Sequence, residues 1–208
     1  NASKKISFKK TNFSFLLDKD LILINSLNST YKDVPITNGN IKINRKNSLD
    51  IQGSIITKIN ADTKKIKNIF SNKIKSVFLE NQIKIQGNLT TEFKILLSKN
   101  LELKDYNLNI KGKLKEVNIK LKKPIKNQFL INNISELSFD RSEVEFNYNK
   151  NKNNQIDIYG YYKINDAKYE KYKLQNIFTK KKSNFNIDFI FSDKIIFDII
   201  NYKKQNNI

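Results

Sequence analysis

Strict alternation of apolar and polar residues is the feature that most constrains this chain. The stretch "LDIQGSI" (49–55) places Leu49, Ile51 and Ile55 on one side of an extended chain and polar residues on the other. A period of two indicates a β-strand with one apolar face. Gly53, however, lies in the middle of that apolar face, where glycine costs a strand both backbone entropy and side-chain packing. The fold has to explain this glycine.

The same alternation recurs along most of the chain. It is clearest in "KIQGNLTTEFKILL", "SEVEFNY" and "NFNIDFIF", and it returns in "NFSFLL" and "NGNIKI" near the start. β-Branched and aromatic residues fill these runs, and turn-forming Asn, Asp, Ser and Lys separate them. We therefore predict an all-β fold, with a long, mainly antiparallel sheet. With two prolines and no Gly/Ser-rich linker, residues 1–208 are expected to form a single elongated segment of a larger protein.

Two stretches depart from this alternation. Residues 62–81 have apolar side chains at helical intervals, with Asn60 or Asp62 as a candidate N-cap, and predict one short amphipathic helix. Its apolar positions are Ile66, Ile69, Phe70, Ile74, Val77 and Phe78. Residues 167–181 fit neither period clearly, so helix and strand both remain open there.

Four of the five glycines share one setting, and Gly39 is expected in a turn. Each of the four has aliphatic residues four and two positions before it, and Ile, Leu or Tyr two positions after it, in "LDIQGSI", "IKIQGNL", "LNIKGKL" and "IDIYGYY". These glycines are Gly53, Gly87, Gly112 and Gly160. Their separations of 34, 25 and 48 residues describe a degenerate repeat and not a regular array.

Two structural interpretations explain an apolar-face glycine. In the first, each glycine marks a bulge or bend in the strands of a closed β-sandwich. In the second, the strands form one strongly curved sheet, and a side chain would crowd the concave face where the glycine lies. An apolar content of 38% is low for a compact domain and favours a single layer covered by something other than protein.

Composition removes most enzymatic chemistry. The chain has no cysteine and no histidine, which excludes disulfides, the usual zinc sites and any cysteine nucleophile or histidine base. Its acidic residues show no pairing typical of general acid and base catalysis. We therefore expect no enzyme activity, no catalytic residues, no metal site and no cofactor.

The net charge of +19 is typical of proteins that bind nucleic acid. Only Arg45 and Arg141 among the 39 basic residues are arginines, although arginine is the residue that phosphate forks and base edges favour. The lysine excess also accompanies an abundance of Asn and Ile, which AT-rich codons encode. We expect a solvated basic surface and no nucleic acid. A basic module in which lysines and tyrosines share one face is the less favoured alternative.

The long one-sided strands, the recurring glycine element and the passages "GNLTTEFKILLSKNLELKDYNLNIKGKL" (87–114) and "VNIKLKKP" (117–124) resemble the AsmA-like family, specifically its YhdP branch. The similarity covers roughly residues 36–165. It implies a periplasmic segment of a Gram-negative protein that is anchored to the inner membrane outside this sequence. Such proteins are thought to carry phospholipid between the inner and outer membranes along a hydrophobic β-groove.

The resemblance implies that the partners are phospholipid acyl chains and neighbouring β-groove segments of the same chain. The expected groove-lining residues are Leu49, Ile51, Ile55, Ile83, Ile85, Leu89, Phe93, Ile95, Leu108, Ile110, Leu114, Phe146, Ile156 and Ile158. A phase slip at Lys115 and Glu116 leaves open which face of the sheet Val117, Ile119 and Leu121 share. A β-sandwich that binds a protein partner without lipid remains the main alternative.

Overall fold

The fold is described from a computed structural model, which covers residues 7–70, 80–126, 132–150, 153–179, 182–191, 195–197 and 202–204. These residues form twelve strands and one helix. The strands are β1 (Phe8–Leu17), β2 (Leu21–Tyr31), β3 (Val34–Asn44), β4 (Leu49–Asp62), β5 (Gln82–Leu97), β6 (Leu103–Ile125), β7 (Ile134–Asn149), β8 (Asn154–Ile164), β9 (Glu170–Phe178), β10 (Ser183–Phe189), β11 (Ile195–Phe197) and β12 (Tyr202–Lys204). The helix α1 (Thr63–Phe70) connects β4 to β5.

Strands β1 to β10 lie side by side in one open antiparallel sheet, in the order of the chain. The short strands β11 and β12 pair with each other in a separate sheet. The predicted all-β class and the long, mainly antiparallel sheet are confirmed. Because the strands that contain the four repeated glycines belong to one sheet, they do not face each other across a sandwich.

Local chemistry explains the tightest connection and the start of the helix. The β2–β3 hairpin turns through Lys32 and Asp33, whose φ angles of 47° and 65° suit a two-residue turn that matches strand twist. The helix begins at the predicted cap: the Asp62 carboxylate accepts a hydrogen bond from the Lys65 N–H at 2.9 Å. The predicted positions at 74, 77 and 78 lie outside the described residues.

Two sequence expectations are resolved by strand pairing. Gly39 was expected in a turn, but it is buried within β3 and pairs with Ile55 of β4. The "TNGN" composition suits a turn, yet pairing with β4 at Asn38, Gly39 and Asn40 holds this segment extended. The ambiguous stretch 167–181 contains β9, because its backbone pairs with β8 on one side and β10 on the other.

The phase slip in β6 is a β-bulge. Gln86 and Gly87 of β5 pair with Glu116 and Leu114, so Lys115 is an extra residue without an opposite partner. One inserted residue restores alternation. Val117 therefore lies on the same face as Leu114, which the sequence left open.

Candidate functional site

One face of the ten-stranded sheet is apolar, and we call it the apolar face. The strand registers place all fourteen predicted lining residues on it, distributed over β4, β5, β6, β7 and β8. Ile83 is buried and the others are half-buried. Alternation in the sequence was sufficient to assign these side chains to a common face.

Two of the glycines are explained by reciprocal pairing between β5 and β6, in which each strand places a leucine opposite a glycine of the other. Gly87 pairs with Leu114, and Leu89 pairs with Gly112. A Cβ on either glycine would lie 2.9 Å from the Leu Cδ2 of its partner, so each leucine covers the opposite glycine. In this pair, the residue two positions after each glycine fills the space above the glycine of the neighbouring strand.

The other two glycines also lie beneath a neighbouring side chain. The Phe93 ring covers Gly53, with its Cζ 2.7 Å from an added Cβ. At Gly160 an added Cβ would lie 2.8 Å from the Cα of Ser142 and 3.0 Å from its side-chain Oγ. No glycine has positive φ, so space and not backbone freedom requires glycine at these positions.

Side chains of next-nearest strands meet over the apolar face. The Tyr172 hydroxyl on β9 donates a hydrogen bond to Ser142 Oγ on β7 at 2.8 Å, across Gly160 of β8. The rings of Phe146 on β7 and Phe178 on β9 stack with centroids 6.4 Å apart. Backbones two strands apart are separated by about 9.6 Å, and here long side chains of β7 and β9 bridge that distance over β8. Burial raises the pKa of Tyr172.

Helix α1 covers one end of the apolar face. Ile66 is 5% exposed and packs on Ala61 and Ile83, and these three form a buried apolar cluster. The Lys32 ammonium group donates hydrogen bonds to the last helix carbonyls, Asn68 O at 3.1 Å and Ile69 O at 3.2 Å. The hairpin between β2 and β3 thus fixes the helix over this end.

Away from α1 the apolar face is open to solvent. Among the described residues, Ile36 is the one buried hydrophobic side chain outside the helix cluster. Exposure is greatest at the edge strands, where Phe15 of β1 is 65% exposed and Phe185 of β10 is 63% exposed. Apolar surface thus extends from one edge of the sheet to the other, which is unusual for a chain whose fold is complete without a ligand.

The apolar face is continuous at right angles to the strands. One row of laterally paired residues crosses nine strands, from β2 to β10, without a charge. Its members are Ser29, Ile36, Thr57, Leu89, Gly112, Val144, Ile158, Leu174 and Ile187. Eight strand spacings give the row a length of about 38 Å.

Several lining residues were not predicted as such. They include Ile41 and Ile43 of β3, Val117 and Ile119 of β6, and Tyr172 and Leu174 of β9. The alternation of β3 predicts a strand but does not by itself show that its apolar side joins the common face. In β6 the bulge shifts the alternation, which hides Val117 and Ile119. In β9, the apolar Ile177 lies out of phase with Leu174, which obscured the pattern.

The opposite face is polar and is stabilised by ion pairs between neighbouring strands. Lys111 pairs with Glu145 at 3.0 Å, and Lys113 pairs with Glu143 at 3.1 Å, both joining β6 to β7. These pairs are well exposed, so solvent screening leaves each of them only a small contribution to stability. They nevertheless keep charge on one side of the sheet.

Comparisons with protein families, with characterised proteins and with solved structures found no match to this chain. The site must therefore be interpreted from its own geometry. In the part of the chain that the structure describes, no three acidic side chains lie close enough to hold a metal ion. Within the same residues, no helix has the length and hydrophobicity to cross a bilayer.

Proposed function

We propose that this chain is a segment of a periplasmic lipid carrier that holds phospholipid acyl chains against its apolar face. The uncharged row across nine strands is the observation that supports this most directly. A bilayer's hydrocarbon core is about 30 Å thick, so one acyl chain spans about 15 Å. A surface about 38 Å long is more than twice that length, which suits a track along which tails move and not a pocket for one tail.

The apolar face offers tails a nearly constant environment. At each strand the next laterally paired residue is again apolar or a small uncharged one, so a methylene group leaves one contact as it gains the next. Transfer of apolar surface from water favours binding by about 25 cal/mol per Å². Because the sheet is open, headgroups stay in water while the tails are covered.

The location and partners in this proposal rest on the resemblance to AsmA-like proteins. We place the segment in the periplasm of a Gram-negative bacterium, with an inner-membrane anchor outside this sequence. The exposed apolar edges β1 and β10 suit neighbouring β-groove segments of the same chain, which would lengthen the track. The segment itself contributes binding and guidance, and we assign it no catalytic step.

Lipid content of the purified chain tests the proposal. Native mass spectrometry and organic extraction are expected to recover phospholipid at one or more molecules per chain. A delipidated chain should take up fluorescent phospholipid from vesicles in a saturable manner. Absence of phospholipid in both experiments would refute the lipid carrier and leave the rival, an apolar face that binds a protein partner.

A further inference from the structure

A cleft of about 600 Å³ opens on the polar face, where β6, β7, β8 and β9 lie side by side. Its volume is within the range of small-molecule sites, about 300–1,000 Å³. Five charged side chains from three strands line it: Lys113, Lys115, Arg141, Glu143 and Lys171. Four of the five are cations, so the cleft differs from the balanced ion pairs elsewhere on the polar face.

Two neighbouring β-bulges form the cleft. Lys115 is the extra residue of β6, and Arg141 is an extra residue of β7 between Asp140 and Glu143, with a positive φ of 46°. A bulged residue is unpaired in the ladder, and its side chain takes a new direction. Because the two bulges are adjacent, they bring Lys115 and Arg141 together, whereas simple alternation would keep these two cations apart.

The acidic groups near the cleft are already occupied. Glu143 accepts hydrogen bonds from the Tyr159 hydroxyl and from Lys113 Nζ at 3.1 Å, and these two donors hold its pKa below the usual range. The Arg141 Nε donates to Asp140 Oδ2 at 2.8 Å. Each of these carboxylates therefore neutralises one cation and is not available to another.

Lys115 and Lys171 have no carboxylate within ion-pair distance among the described residues, although both line the cleft. Two uncompensated positive charges in one cleft repel each other and attract an anion. The Arg141 guanidinium lies 4.6 Å from the Tyr161 ring centroid, which fixes its plane. Only its Nε is used by Asp140, so its terminal amino groups remain donors.

We propose that this cleft binds a phosphate group between Lys115, Lys171 and the terminal amino groups of Arg141. The source of the phosphate is a soluble phosphate ester or a lipid headgroup, which present the same chemistry. Lysine and arginine are the usual protein ligands of phosphate, and two uncompensated cations match its charge. The cleft is also lined by Leu114, Gly160 and Tyr172, but the cations that would hold the phosphate do not belong to the apolar face, so phosphate binding does not depend on acyl chains there.

Calorimetric titration of the full chain with glycerol 3-phosphate and with inorganic phosphate tests the site. The variant Lys115→Gln/Lys171→Gln removes both uncompensated charges. The control Lys42→Gln/Lys58→Gln removes two exposed lysines of equal charge from the polar face of β3 and β4, away from the cleft. We expect saturable 1:1 binding by wild type and the control, and at least a tenfold weakening in the cleft variant.

Vesicles of phosphatidic acid, compared with vesicles of phosphatidylcholine, distinguish the two sources. Binding to phosphatidic acid that the cleft variant loses and the control retains assigns the site to a headgroup, and binding of the soluble ester alone assigns it to a small molecule. Equal weakening of both double variants, or the lack of saturable binding, would overturn the proposal. Binding only to a 20-nucleotide single strand would overturn it as well and favour a nucleic-acid surface.

Phospholipid extracted from the same preparations separates this inference from the lipid carrier. The cleft variant should retain the acyl-chain content of wild type, because its substitutions lie on the opposite face. Failure of the phosphate site would leave that content unchanged. Failure of the lipid carrier would leave the titration with soluble phosphate unchanged.

Discussion

Two adjacent threonines provide a sharp test of which face binds lipid. Thr91 lies on the apolar face between Ile55 and Ile110, and Thr90 lies on the polar face beside Lys111. Thr91→Asp and Thr90→Asp make the same chemical change, one residue apart, on opposite faces of β5. Both threonines are half-buried, so the two variants start from similar solvent exposure.

The size of the effect follows from desolvation. With tails in place, an aspartate at Thr91 would lie among apolar groups and would have to be neutral, since an unpaired charge there costs several kcal/mol. Protonating a carboxyl group of pKa near 3.9 at pH 8 costs at most about 5.6 kcal/mol, and at pH 5 about 1.5 kcal/mol. We expect Thr91→Asp to weaken lipid binding by up to about four orders of magnitude at pH 8 and by about tenfold at pH 5.

The assay measures phospholipid per mole of chain after purification and uptake by delipidated protein at both pH values. Thr90→Asp should match wild type at both, because Lys111 and water remain beside the new carboxylate. Urea unfolding of the lipid-free chains should place both variants within about 1 kcal/mol of wild type, a typical change for partly exposed sites. Equal lipid loss in the two variants, or unchanged lipid in Thr91→Asp, would refute the assignment of lipid to the apolar face.

Three further predictions concern stability. Gly112→Ala places a methyl group 2.1 Å from a backbone oxygen of the neighbouring strand and should lower the free energy of unfolding in urea by about 1–3 kcal/mol or more. Gly39→Ala meets only side chains at 3.0–3.4 Å and should lower it less. Equal losses of stability in the two variants would contradict the crowding argument. Ile66→Ala should weaken docking of α1 by about 2–4 kcal/mol, measured as faster amide exchange in the helix, and unchanged exchange would argue against the buried cluster. The pKa of Glu143 is lowered in the folded chain, so its ionised carboxylate stabilises the fold above the unfolded pKa, and this contribution is lost on acidification. The difference in urea midpoint between wild type and Tyr159→Phe should therefore shrink below about pH 4. A difference that stays constant with pH would contradict this.

The segment that the sequence assigned wrongly and the one that it left open are both places where local composition and strand pairing disagree. "TNGN" has the residues of a turn, but pairing with β4 holds Gly39 in an extended strand, with the side chains of Leu27 and Ile55 close to it. In β9 the polar Asn176 is buried on the apolar face and bonded to the Ser183 hydroxyl, while the apolar Ile177 is on the polar face. Pairing with β10 sets that register, and no pattern within β9 alone contains it.

The three tyrosines of "IDIYGYY", which are Tyr159, Tyr161 and Tyr162, lie on two different faces of the sheet. Tyr162 lies on the apolar face, where its ring contacts those of Tyr172 and Phe189. Tyr159 and Tyr161 lie on the polar face beside the cationic cleft. Alternation puts Tyr159 and Tyr161 on one face and Tyr162 on the other, but only the bulge in β7 brings Arg141 next to the Tyr161 ring.

The sequence by itself determined that this chain has one apolar and one polar face, because alternation is a property of each strand and needs no knowledge of its neighbours. It also located the repeated glycines and the slip at Lys115. The tertiary structure decided why the glycines are there, since Leu89 and Leu114 cover Gly112 and Gly87 only when β5 and β6 pair in this register. It likewise decided which end α1 covers and which cations meet at the bulges, because these depend on contacts between residues distant in the chain.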